Sequence, residues 1–145
     1  MKISEVMTRD VRVIRPDRSA RDAAKLMDDL NVGVLPVCDG EKLVGIVTDR
    51  DITVRATAAG RDPDDTPVRE IMTEEVRWCF EDEEVGNVAG MMGDVQIRRI
   101  PVVDRNKRLV GIVALGDLAT DRAEGTSEAL RRVSEPSEPD RSAAR

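Results

Sequence analysis

Apolar and polar positions along this chain change rhythm at short, regular intervals. Ala20, Ala23, Ala24, Met27 and Leu30 recur at helical spacing on one face, and Asp17 or Ser19 stands ahead of them as a candidate N-cap. The rhythm then becomes β-type. A run from Val32 to Val37, a turn at Asp39-Gly40 and the run Leu43-Val44-Gly45-Ile46-Val47 predict a hairpin. Thr48 and Asp49 open a second helix predicted to reach about Ala59, with Gly60 as its stop. After a polar stretch the same order returns: a helical face of Val85, Val88, Ala89, Met92 and Val95, a run from Ile97 to Val103, a turn from Asp104 to Lys107, and Leu109-Val110-Gly111-Ile112-Val113.

The return is a true repeat. Glu5-Val6-Met7-Thr8 recurs as Glu70-Ile71-Met72-Thr73, a shift of 72 − 7 = 65, and Pro36-Val37 meets Pro101-Val102 at the same shift. One inserted residue then carries Leu43 to Val47 onto Leu109 to Val113, and Asp51 onto Asp117. One copy is too small to hold a core alone, so the expected fold is α/β (α+β): two β-α-β-β-α units about a pseudo-twofold axis, their sheets packed face to face with clefts at the seam. The expected boundaries are 1–60 and 68–124 for the copies, 61–67 for a linker, and 125–145 for a short helix from Thr126 and a disordered acidic tail from Ser134.

Composition narrows the partners. The chain of 145 residues is 40% apolar but only 1% aromatic, so its core must come from Val, Ile, Leu, Met and Ala. A formal charge of −6 works against duplex nucleic acid or an anionic membrane as partner. The opening residues lack the pattern of a secretory signal, and Leu109 to Leu115 is too short to span a bilayer; a cytoplasmic location is expected. Cys38 and Cys79 are expected to be reduced and buried, with a bond between them as the alternative. No histidine is present, which removes the commonest general base and nitrogen metal ligand. No catalytic residue and no metal site is assigned.

The most specific local feature is Gly45-Ile46-Val47-Thr48-Asp49-Arg50-Asp51, which sets a hydroxyl and a carboxylate at a strand-to-helix junction. Backbone N–H groups at a helix start attract anions, Thr48 adds a donor, and Asp51 would accept from vicinal ribose hydroxyls. The bland alternative is that Thr48 caps the helix and Asp51 complements its dipole. Trp78 and Phe80 share a face with Val76 on a predicted strand, as core anchors or as surfaces for a base.

The twice-used pattern of VMT or IMT, a PV strand, and LVGIV followed by Asp resembles the tandem cystathionine-beta-synthase-type (CBS) domain pair over nearly all of residues 1 to 122. Its style is similar to bacterial stand-alone pairs, the hypoxic response protein type among them. The resemblance implies an adenine-nucleotide-binding regulatory sensor without catalysis, needing no cofactor, with AMP, ADP or ATP ahead of NAD or S-adenosylmethionine as ligand. It implies ribose contact by Asp51, hydroxyl contact by Thr48, phosphate contact by Arg98 or Arg99, and adenine walls from Leu35-Pro36 and Ile100-Pro101 with their free carbonyls. It also implies a homodimer acting on an unidentified regulated protein. The second copy reads Gly111-Ile112-Val113-Ala114-Leu115-Gly116-Asp117, keeping the carboxylate and losing the hydroxyl, so a weaker site is expected there. Of Arg98 and Arg99, strand alternation predicts that one faces solvent. The alternative function is a ligand-free dimerisation or interaction scaffold, its clefts filled by its own side chains.

Overall fold

The computed structural model describes residues 1–95 and 97–119, so the expected helix at Thr126 and the tail from Ser134 lie outside the described residues. The described residues divide into two compact units, Arg12–Val76 and Met1–Val11 together with the described residues from Arg77 to Ala119.

In the unit Arg12–Val76, helix α1 (Ala20–Leu30) starts at Ser19, whose hydroxyl accepts the Asp22 N–H at 3.0 Å while the Asp22 carboxylate accepts the Ser19 N–H at 3.4 Å. Ala20, Ala23 and Met27 are buried and Ala24 is exposed, a narrower stripe than predicted. The helix closes through left-handed Asn31 (φ 55°), and the Val32 N–H donates back to the Met27 carbonyl at 3.0 Å. Val32 is spent on that closure, so the strand predicted from Val32 begins two residues later. Strand β1 (Val34–Asp39) pairs antiparallel with β2 (Lys42–Thr48); Val37 faces Gly45 and Cys38 faces Leu43, which leaves Val44 as a bulge. Helix α2 (Asp49–Asp51) follows at once and continues as a π-helical segment, Ile52–Thr57, before Gly60 turns the chain at φ 76°. The polar stretch after it is folded rather than loose: the Ala20 N–H donates to the Thr66 carbonyl at 2.8 Å and the Val68 N–H to that of Arg18 at 2.7 Å.

The other unit repeats this plan with one strand more, where the first has a single parallel bridge from Ile14 to Val37 in place of the expected opening strand. Strand β3 (Cys79–Phe80) runs parallel to β4 (Arg99–Val103), which pairs antiparallel with β5 (Leu109–Ala114), again with a bulge, at Val110. Helix α3 (Val85–Val95) buries Val85, Val88, Ala89 and Met92, and the Ile97 N–H closes back onto the Met92 carbonyl at 3.1 Å. Helix α4 (Leu115–Ala119) leaves β5 directly. Trp78 and Phe80 form an edge-to-face pair (centroids 4.9 Å apart), half-buried and outside the core. The Arg105 guanidinium lies 3.9 Å from the Phe80 ring and Lys107 5.3 Å from that of Trp78, so the two aromatics make a surface cation–π cluster instead of the anchor predicted.

The opening segment of each repeat is packed in the unit built on the other repeat. Thr73 exchanges two backbone hydrogen bonds with Ile46 (2.8 and 2.9 Å), and Thr8 does the same with Ile112 (2.8 and 2.9 Å). Val68 and Ile71 are fully buried with α1 and β1 residues, as Ile3 is with α3 and β5 residues. Burying such a side chain contributes about 1.5–3 kcal/mol, enough to pin each segment. The glycine of each LVGIV run makes the approach possible. A Cβ on Gly45 would stand 2.7 Å from the Thr73 carbonyl oxygen and 3.1 Å from Met72 Sδ; one on Gly111 would stand 2.8 Å from the Thr8 carbonyl oxygen and 2.7 Å from Met7 Sδ.

Candidate functional site

At the first junction β2 delivers Thr48 in an extended conformation (φ −116°, ψ 162°) and the chain turns straight into α2. The Thr48 hydroxyl accepts the Asp51 N–H at 3.0 Å, and Asp51 Oδ2 accepts the Thr48 N–H at 3.0 Å. This is a reciprocal capping box, so the bland reading of the two residues describes real bonds. It does not exhaust them. The hydroxyl still has its own proton to donate. Asp51 is 8% exposed, and among the described residues the cation nearest its second oxygen, Oδ1, is Arg55, whose Nε lies 3.8 Å away, beyond hydrogen-bond reach. A buried carboxylate oxygen without a hydrogen bond is costly, and ligand hydroxyls would satisfy it.

Neighbours fix the junction on both sides. The Asp49 N–H donates to the Gly33 carbonyl at 2.9 Å, tying the helix start to the approach to β1. Arg55 Nη1 donates to the Ile71 and Met72 carbonyls at 3.3 and 3.1 Å. Sequence reasoning missed Arg55; the signal was its place one helical turn beyond Asp51. Leu35 and Pro36 are buried, and the Pro36 carbonyl accepts the Ile14 N–H at 3.0 Å. That carbonyl is therefore bonded rather than free, because the segment through Ile14 lies along β1. A separate groove of about 430 Å³ in this unit lies between Arg12–Arg15 and the α1 residues Lys25, Leu26 and Asp29, and includes neither Thr48 nor Asp51.

The second junction keeps the frame. The Leu115 N–H donates to the Arg98 carbonyl at 2.8 Å, and Asp117 Oδ2 accepts the Ala114 N–H at 3.0 Å. The reciprocal bond is absent because Ala114 has no hydroxyl. Arg98 stands where the first copy has Gly33, and Arg99 faces Ala114 across the β4–β5 ladder. Both arginines are exposed, whereas Ile100 and Pro101 are buried. Strand alternation does not turn either arginine into the core: Arg98 precedes β4 and Arg99 is its first residue.

Both thiols are free and buried. Burial pushes Cys38 up to about 11; burial, with the nearby Glu83 charge, pushes Cys79 up to about 12. Neither is a nucleophile near neutral pH. Among the described residues no group of three or more His, Cys, Asp or Glu is placed to hold a metal ion, and no helix is long and apolar enough to cross a membrane.

The family model described as CBS domain matches residues 3–56 and 68–124 of the chain. A CBS domain-containing protein of Bacillus subtilis, YhcV, is 42% identical over 134 residues, 91% of this chain and 94% of that one. Among solved structures, Hypoxic Response Protein I with two coordinated zinc ions superposes with a TM-score of 0.75 at 30% identity, over 83% of this chain and 98% of the other. CBSX2 in complex with AMP superposes with a TM-score of 0.70 at 26% identity, over 83% and 94%.

Proposed function

Because the chain belongs to the CBS-domain family, with two CBS domains in tandem, we propose that it is a non-catalytic regulatory module that binds an adenine nucleotide at the Thr48–Asp51 junction. The observation that carries this reading is the buried Asp51 carboxylate, with Oδ2 in the capping box and Oδ1 left without a hydrogen bond among the described residues. Vicinal ribose hydroxyls supply the two donors such a group lacks. Thr48 then donates its hydroxyl proton to the ligand, and the AMP complex of the similar CBSX2 structure supports the ligand class. AMP, ADP and ATP are the first candidates, ahead of NAD and S-adenosylmethionine. Asp117 takes the ribose role in the second copy, where Arg98 and Arg99 offer guanidinium groups suited to phosphate. Leu35 and Ile100, 1% and 0% exposed, offer a ligand no surface as they stand, so the apolar walls expected of Leu35-Pro36 and Ile100-Pro101 are not part of the proposed site. The module acts in the cytoplasm as a homodimer, and nucleotide occupancy is read out by a partner protein.

Calorimetric titration tests the assignment. A hydrogen bond to a charged group is worth about 1.5–3 kcal/mol, so Asp51→Ala should weaken AMP binding at the first junction by about 10- to 150-fold. Unchanged affinity in that variant removes Asp51 from the site. The capping box itself favours a second reading, a ligand-free scaffold in which Thr48 and Asp51 serve only the fold. A ligand at a hundred times its Kd stabilises by about 2.7 kcal/mol. Melting curves that stay flat across AMP, ADP, ATP, NAD and S-adenosylmethionine would therefore establish the scaffold.

A further inference from the structure

Arg55 makes contacts that helix stability does not require. Its guanidinium bonds two carbonyls, of Ile71 and Met72, that follow the 3-10 turn Val68–Glu70, and it stands 3.8 Å from Asp51 Oδ1. Those carbonyls belong to the second repeat's opening segment, which is fixed in this unit by the burial of Val68 and Ile71 and by the Thr73–Ile46 pairing. The segment touches the junction's strand as well, since Met72 lies against Gly45. Arg55 itself sits in the π-helical stretch Ile52–Thr57, where the Ala58 N–H reaches the Thr53 carbonyl at 2.8 Å and the Arg61 N–H that of Ala56 at 2.9 Å. Such widened turns occur frequently at functional sites.

The distances describe a restrained cation. A guanidinium on a free side chain would close onto a carboxylate one turn away and take its acceptor sites. Here two carbonyl bonds hold it back, so its charge faces Asp51 while Oδ1 keeps its lone pairs for other donors. We propose that Arg55 is a positioning residue that couples occupancy of Asp51 to the order of the segment Val68–Thr73. This rests on the nucleotide reading above. Coupling is reciprocal: if the ordered segment readies Asp51 for a ribose, a bound ribose must order the segment by the same factor. Three residues past Thr73, at Val76, the chain passes from one compact unit into the other, so occupancy is registered next to the stretch that joins them.

The test combines titration of AMP with hydrogen exchange of the Met72 and Thr73 amides on the full chain, for wild type, Arg55→Met and Arg55→Lys. In wild type, AMP should slow exchange at these two amides. Arg55→Met should bind AMP about tenfold more weakly and, at AMP saturation, lose the added protection at Met72 and Thr73. Arg55→Lys retains a charge and a donor for one carbonyl, and should fall between the two. A purely structural arginine predicts a different result, with lower melting temperatures but unchanged AMP affinity and unchanged AMP-induced protection; that result overturns the coupling and leaves the nucleotide site standing. Wild type that binds no adenine nucleotide overturns both. Should Arg55→Met fail to fold, Arg55→Lys decides alone, and wild-type affinity and protection in it count against the proposal.

Discussion

The two strand-to-helix junctions are built on one backbone frame and differ in the side chains they carry. In each, the first helical N–H after the strand reaches back to a carbonyl ahead of the hairpin, Asp49 to Gly33 at 2.9 Å and Leu115 to Arg98 at 2.8 Å. In each, an aspartate accepts the N–H of the last strand residue at 3.0 Å. The aspartate's first task is thus to cap a helix in both copies. What differs is the hydroxyl, present at Thr48 and missing at Ala114, and the flanking pair, Gly33-Val34 against Arg98-Arg99. Features common to both junctions serve the fold, whatever else they do, and on the proposed nucleotide reading any ligand preference would reside in those that differ.

Common features should give the largest and most even effects. Gly45→Ala and Gly111→Ala each push a methyl group against a backbone carbonyl, at 2.7 and 2.8 Å. Backbone cannot yield as a side-chain tip does, so each substitution should cost about 1–3 kcal/mol or more, measured by urea unfolding. Equal losses support a shared structural role for the LVGIV glycines. A loss confined to Gly45 would instead tie that glycine to the first junction.

The aspartates come next, and here the copies should part. Asp51→Ala and Asp117→Ala remove equivalent caps, and each should cost about 0.5–2 kcal/mol of stability. Their effects on AMP titration should be unequal, the greater loss following Asp51→Ala. Equal losses of affinity would make the two junctions equivalent sites, against the argument from Ala114.

The thiols sharpen the comparison through pH. Cys38 lies where the second copy has Val103, and Cys79 where the first has Ile14, so each fills a hydrophobe's place. Folding raises both groups, to about 11 and about 12, above the value of about 8.5 for a free thiol. Between those limits the folded chain retains protons that the unfolded chain releases, so the thiols' contribution to stability is complete below about pH 8.5. It is lost as pH rises toward 11 and 12. Alkylation of the native protein should accelerate with pH well past 9, and a rate that levels off near pH 8 to 9 would show an accessible thiol.

Much of this was legible because the repeat states each element twice. The helical face at Val85 to Met92, the hairpin turns, and the helix stop at Gly60 all followed from spacing and turn chemistry. Strand starts did not, because Val32 and Ile97 serve as helix closures, a use that β-propensity cannot reveal. The placement of Trp78 and Phe80 was also illegible: hydrophobic size argued for a core position, whereas Arg105 and Lys107, distant in sequence, hold the rings at the surface. The exchange of opening segments left a trace in the paired methionines and glycines, Met72 with Gly45 and Met7 with Gly111, but only long-range contacts connect them. Thr48 and Asp51 were singled out as candidate ligand contacts, and the structure shows them in a reciprocal capping box, a use no motif distinguishes.

The smallest effect is the most pointed, because it adds a group instead of removing one. Ala114→Thr places a hydroxyl where the Asp117 N–H can donate to it, completing at α4 the box that Ser19 and Thr48 form at α1 and α2. An N-cap hydroxyl is worth about 1 kcal/mol, so the variant should be slightly more stable than wild type. A new neutral hydrogen bond to ligand is worth about 0.5–1.5 kcal/mol, so AMP binding at the second junction should tighten by about 2- to 13-fold. Calorimetry on an Asp51→Ala background isolates that junction. Stability gained without affinity would mean that the hydroxyl serves capping alone, and the difference between the copies would then rest on Arg98 and Arg99.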